Sequence, residues 1–245
     1  MPESLKARVR IVANRLLNPL GLHLIRRERA FEMDGLIGLA ARNRIPVRTW
    51  IDVGASDGSW SLRARRHYPA ATFVLFEPLA ERLPALRALH HRHGFIVVPA
   101  VAGAAPGQAS FCVSADLDGS GVAHPGASGA RRDVPVETVG RVIASRQLPA
   151  PYALKLDTHG AEIAVLEGAA SLLPQVSLLV IEAYNFQLGP GCLRFHELCA
   201  WLEAAGFRCW NLADPLRRPS DGVLWQMDLA FAPAASPLFA CNGYA

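Results

Sequence analysis

Short apolar runs alternate with stretches of helical period along most of this chain. Thr49–Val53, Phe73–Phe76, Phe95–Val98 and Val176–Ile181 read as buried strands, and so does Tyr152 to Leu156, which runs into Asp157. Between them, helical spacing predicts helices over Phe31–Arg42, from Ser59, over Leu79–His90, over Thr138–Arg146 and from Thr158. Pro84 should shorten or kink the third of these. A further helix over His196–Ala205 is stopped by Gly206, and two last strands, Phe207–Leu212 and Leu224–Ala232, follow. The link between that pair, Asp214–Gly222, is too short for a helical crossover, so the pair is antiparallel. Strands alternating with helices predict an α/β fold on a mostly parallel sheet.

Two segments stand outside this rhythm. Leu5, Val9, Val12 and Leu16 form an amphipathic stripe ended by Asn18-Pro19. It suits packing on the domain or a sister subunit, hence a possible homodimer, or docking on a membrane surface or partner. From Gly103 to Arg132 the chain is rich in Gly, Ala, Ser and Pro, broken by one strand at Ala109–Ser114. A loop that long is expected to serve as a lid.

The chemistry gathers where strands end. Thr49-Trp-Ile-Asp-Val-Gly-Ala-Ser-Asp-Gly58 passes from a strand through a small-residue turn into a helix, and the second strand ends in Glu77-Pro78. A dinucleotide fingerprint wants glycines where this chain has Gly54, Ser56 and Ser59, and no lysine follows in phosphate-loop spacing. The spacing Asp52-x-Gly54-x-Ser56-x-Gly58 suits a ligand without a pyrophosphate, such as S-adenosylmethionine (SAM). Asp52, Gly54, Ala55, Ser56 and Gly58 would form its cradle, with Glu77 on the ribose hydroxyls. Pro78, Ala100 and Val101 would lie beside the adenine.

Two later strands also end in acids, Asp157 and Glu182. Adjacent in a parallel sheet, they would stand about 4.8 Å apart, in the crevice where open α/β sheets bind ligands. They would share a divalent ion such as Mg²⁺ that orients an acceptor hydroxyl, or Asp157 or His159 would act as general base. Glu162, in the first turn of its helix, reads as dipole compensation. The run His90-His91-Arg92-His93-Gly94 reads as a helix C-terminus with its cations and glycine stop, not a metal cluster.

Composition narrows the setting. The chain has 245 residues, and its net charge of +4 sits in the first 29, which hold seven Lys/Arg against two Glu. The remainder, with eighteen against nineteen, is close to neutral and offers no broad positive face for nucleic acid. The five cysteines show no CxxC spacing, no eighteen-residue apolar run occurs, and the start lacks a secretory cleavage pattern. A cytoplasmic protein with reduced thiols and no transmembrane segment is expected.

In order, IDVGASDGSWS, LFEP, ALKLDTHGAEIAVLEGA, LLVIEAYNF, AAGF and DGVLWQMDLAF resemble the FkbM family of SAM-dependent methyltransferases, across roughly residues 48–232. Ser56 stands where that family usually has Asn, and His159 where it often has Glu or Gln. The resemblance implies the class I methyltransferase Rossmann-like fold: a seven-stranded, mostly parallel sheet with an antiparallel final strand and helices on both faces. Residues 1–44 would be an N-terminal helical extension and 45–245 the catalytic domain. It also implies O-methylation of a small hydroxylated acceptor, often a sugar or secondary metabolite. Other acceptors need different equipment: no Asn/Asp-Pro-Pro-aromatic segment follows the fourth strand, and no cysteine falls near it. A non-catalytic SAM- or nucleotide-binding module partnering a biosynthetic enzyme is the alternative, and an aminopropyl transferase a third reading.

Overall fold

The computed structural model describes residues 11–20, 31–124 and 129–244. Its spine is a seven-stranded sheet assembled from β1 (Thr49–Val53), β2 (Thr72–Phe76), β3 (Ile96–Val98), β8 (Tyr152–Leu156), β9 (Val176–Tyr184), β10 (Phe207–Arg217) and β11 (Leu224–Pro233), in the order β10-β11-β9-β8-β1-β2-β3. The five strands from β9 to β3 are parallel, and β11 runs antiparallel to both β9 and β10.

Both faces of a parallel sheet must be covered, and alternate residues of each strand serve opposite layers. Trp50, Phe73 and Leu75 pack with α2 (Met33–Arg42), α3 (Ser59–His67) and α4 (Leu83–His93), through Met33, Leu36, Ile37, Ala64 and Leu86. Ile51, Val53, Val74 and Phe76 face α5 (Val139–Ser145), α6 (Glu162–Gly168) and α7 (Phe195–Ala204), through Ile143, Val165, Leu166 and Leu202. Residues 11–17 are helical (α1), with Val12 and Leu16 of the predicted stripe exposed. Leu5 and Val9 lie outside the described residues. No helix among the described residues is long and apolar enough to cross a membrane.

The structure corrects several expected boundaries. Helix α4 begins at Leu83, so Pro84 falls in its first turn, where a missing N–H costs nothing. The described part of the Gly103–Arg132 segment holds more strand than the expected Ala109–Ser114. It builds most of a second sheet, with β4 (Val101–Ala102), β5 (Gly107–Val113), β6 (Gly121–Val122) and β7 (Ala130–Glu137) in the order β4-β7-β5-β6. Only a few side chains, Phe111, Val113 and Val134, turn inward, onto Leu79 and Val101. So thin an apolar face leaves little periodicity to detect. Strand β9 continues to Tyr184, which puts Glu182 within it, and β10 reaches Arg217 through register shifts after Cys209 and Ala213.

Candidate active site

The carboxyl ends of β1, β2, β8 and β9 open into a cavity of about 500 Å³, roofed by the loop between β5 and β6. Gly54, Ser56, Glu77, Pro78, Ala100 and Val101 line one end, and Asp157, His159, Glu182 and Gln226 the other.

The first end is built around the turn after β1. Gly54 has φ +75°, and a Cβ there would stand 2.0 Å from the Asp157 carbonyl oxygen, so only glycine fits. Glu77 is buried at the tip of β2. Its two oxygens accept the backbone N–H groups of Ser56 and Leu79, each at 2.9 Å. Burial raises its pKa, and those two N–H groups offset only part of the rise. A carboxylate already oriented by backbone, with acceptor capacity left toward the cavity, suits two ribose hydroxyls. Glu77→Ala is therefore expected to weaken SAM binding about 10- to 150-fold, the worth of a charge-assisted hydrogen bond. Titration calorimetry checks it, and unchanged affinity removes Glu77 from that role.

Three expected cradle residues do not line the cavity. Asp52 is wholly buried and accepts from Ser61 Oγ at 2.7 Å. Ala55 is buried, its N–H donating to the Phe76 carbonyl. Gly58 caps α3 with φ +79°, and a Cβ there would strike Leu89 of α4 at 2.3 Å. These residues shape the turn from beneath.

Lys155, absent from the expected site, joins the two ends. Strand register sets it beside Asp52, and its Nζ lies 2.8 Å from the Gly54 carbonyl, 3.1 Å from Asp52 Oδ1 and 3.3 Å from Asp157 Oδ2. Burial works against its charge, but the two carboxylates outweigh it and raise the pKa of the ammonium. Burial likewise tends to neutralise Asp157, yet Lys155 and His159 hold its pKa below the usual carboxylate value. An ionised carboxylate thus faces the cavity.

At the second end His159, with φ +53°, sets its ring between two acceptors. Nε2 lies 2.8 Å from the Asp118 carbonyl oxygen, and Nδ1 lies 2.8 Å from the Tyr184 hydroxyl and 3.3 Å from Glu182 Oε2. Tyr184 donates its own proton to Glu182, whose other oxygen accepts from Gln226. Both ring nitrogens therefore serve as donors, the imidazolium form. Burial opposes that charge, but Glu182, Asp157 and the Asp118 carbonyl raise the pKa to about 9. The expectation of a histidine base with an ordinary pKa gives way here: the ring rests already protonated. Asp228, paired with Glu182 across the strands, is pushed up to about 8 by burial and by the Glu182 and Asp157 charges.

Asp157, His159 and Glu182 each bring a ligand atom within 4.8 Å of the others. Two carboxylates suit a hard cation. The imidazole does not as arranged, because a metal needs a nitrogen lone pair and both nitrogens are spent on acceptors. The cluster balances its charge with an imidazolium and an ammonium instead.

The family model described as the methyltransferase FkbM domain matches residues 52–209, more than half of the chain. The chain belongs to the FkbM methyltransferase family. No curated protein sequence matches it significantly. Among solved structures, the methyltransferase FkbM of Methylobacillus flagellatus KT superposes with a TM-score of 0.50 at 16% identity, over 75% of this chain and 43% of that one. This FkbM protein thus spans less than half the length of that structure. A 1,6-didemethyltoxoflavin-N1-methyltransferase of Burkholderia thailandensis gives 0.46 at 13% identity, over 95% and 90% of the two chains. Magnesium protoporphyrin IX methyltransferase of Synechocystis PCC 6803 gives 0.45 at 10%, over 82% and 77%. The fold is that of the class I methyltransferases.

Proposed function

We propose that this FkbM methyltransferase moves a methyl group from SAM to a hydroxyl oxygen of a small molecule, a sugar or a glycosylated or other secondary metabolite. One juxtaposition carries the reading: a single cavity holds the glycine turn and Glu77 at one end and Asp157, His159 and Glu182 at the other. Gly54, Ser56, Glu77, Pro78, Ala100 and Val101 would hold the donor, which supplies an electrophilic methyl group when bound.

The remaining work falls to this chain's own residues. Holding two reactants in line contributes roughly 7–11 kcal/mol, and a positioned base about 10²- to 10⁴-fold. Position therefore matters more. The Asp157 carboxylate, kept ionised by Lys155 and His159, accepts the hydrogen of the acceptor hydroxyl and orients its oxygen. His159, clamped on both nitrogens, holds the neighbouring Glu182 as its counter-ion and offers no basic nitrogen of its own.

Incubation with methyl-labelled SAM and a panel of hydroxylated glycans and metabolites tests the proposal. Label on an acceptor oxygen, with S-adenosylhomocysteine released, supports it. Label on nitrogen, or binding with no turnover on any acceptor, overturns it. A divalent ion at Asp157 and Glu182 is the second reading, favoured only by the closeness of the acids. EDTA is expected to leave the rate unchanged, and loss of activity restored by Mg²⁺ would reinstate the ion.

A further inference from the structure

One residue of the roof touches both ends of the cavity. The Asp118 carboxylate accepts from Ser56 Oγ at 3.1 Å and pairs with the Arg82 guanidinium, both at the donor end. Its backbone carbonyl accepts from His159 Nε2 at 2.8 Å, at the acceptor end. The loop that carries it is braced within itself. Ser114 Oγ donates to Asp116 Oδ1 at 2.6 Å, Gly119 N–H to the same oxygen at 3.2 Å, and Ser114 N–H to Ser120 Oγ at 3.0 Å. A loop so braced moves as a piece, so a tether on the Asp118 side chain also fixes its carbonyl. The next strand comes equally close: a Cβ on Gly121 would sit 3.5 Å from His159 Cβ.

We propose that Asp118 is a positioning residue for His159, and that it couples the donor end of the cavity to the orientation of the imidazole. With the Asp118 side chain 73% exposed, its pair with Arg82 adds little stability. What it adds is placement: with the loop braced within itself, the Ser56 and Arg82 contacts help set where that piece holds the carbonyl against Nε2. A donor that engages Ser56 or Arg82 would alter the tether and be felt at the ring. That last step rests on the methyltransferase reading; the tether itself does not.

The test uses the full chain labelled with ¹⁵N-histidine, without ligand. The Nε2–H resonance of His159 is expected to be protected in the wild type and assigned by its absence from His159→Asn. In Asp118→Ala its exchange with solvent quickens about threefold or more. Asp118→Asn, whose amide oxygen still accepts from Ser56 and Arg82, keeps the protection. Should Asp118→Ala fail to fold, Arg82→Ala cuts the same tether from the other side and is expected to quicken exchange alike. Unchanged exchange in the folded variant, or an Asn variant as fast as the Ala variant, overturns the proposal. S-adenosylhomocysteine is then added to the wild type. Failure to bind at all would count against the methyltransferase reading while leaving the tether standing. Binding that leaves the His159 resonance unmoved would overturn the coupling.

Discussion

Asp157→Asn is expected to lower turnover about 10²- to 10⁴-fold, the usual worth of a positioned proton acceptor, while SAM affinity stays within a few-fold. The asymmetry follows from where the residue stands. Its carboxylate lines the proposed acceptor end, whereas the proposed donor contacts come from the turn after β1 and the tips of β2 and β3. Asparagine keeps the shape and still offers an oxygen to Lys155 Nζ, which lies 3.3 Å from Oδ2. What is lost is the negative charge that accepts a hydroxyl proton. Calorimetry gives the affinity, and label transfer to whichever acceptor the glycan and metabolite panel yields gives the rate. Turnover near wild type would retire Asp157 and move the role to Glu182.

Much of this arrangement was legible in the chain, because parallel strands announce themselves. Thr49–Val53 and Tyr152–Leu156 are buried at every position, and where such a mainly apolar run passes into an acid, as Tyr152–Leu156 does at Asp157, it marks a strand tip at the crevice. That logic places Glu77 and Asp157 at strand tips on the cavity, and it gives the strand order that sets Asp157 beside Glu182, though Glu182 lies inside the longer β9 rather than at its end. It could not find Lys155. A lysine in an apolar strand carries no sign of its partners until the register of β1 against β8 brings Asp52 alongside it. The signal, in retrospect, was a lone cation inside an otherwise buried run, an expensive residue to place there unpaired. Tyr184 and Gln226 were hidden because their roles arise from the antiparallel pairing of β9 with β11. Asp118 was hidden because its segment reads as loop by composition, and the contact of its carbonyl with His159, 41 residues on, exists only once the chain is folded.

Lys155→Met is expected to cost about 3–5 kcal/mol of stability, the penalty for leaving a buried charge unpaired. At roughly 2–4 °C of melting temperature per kcal/mol for a chain of this size, the midpoint should fall by about 6–20 °C. Methionine matches the aliphatic stem and fills the space between Asp52 and Asp157, so the loss would be electrostatic. Asp52 is fully buried, with Ser61 as its remaining hydrogen-bond partner, and the Gly54 carbonyl would lose the donor that fixes the turn. The double variant Asp52→Asn with Lys155→Met should recover a good part of the loss. Removing both charges together avoids the desolvation penalty that removing one creates. Its SAM affinity should nevertheless stay low, because nothing replaces the ammonium at the Gly54 carbonyl. Thermal unfolding and calorimetry on the two variants separate these effects. A single variant melting within about 2 °C of the wild type would mean that Asp52 sheds its charge without cost, and that the lysine is not what ties the glycine turn to Asp157.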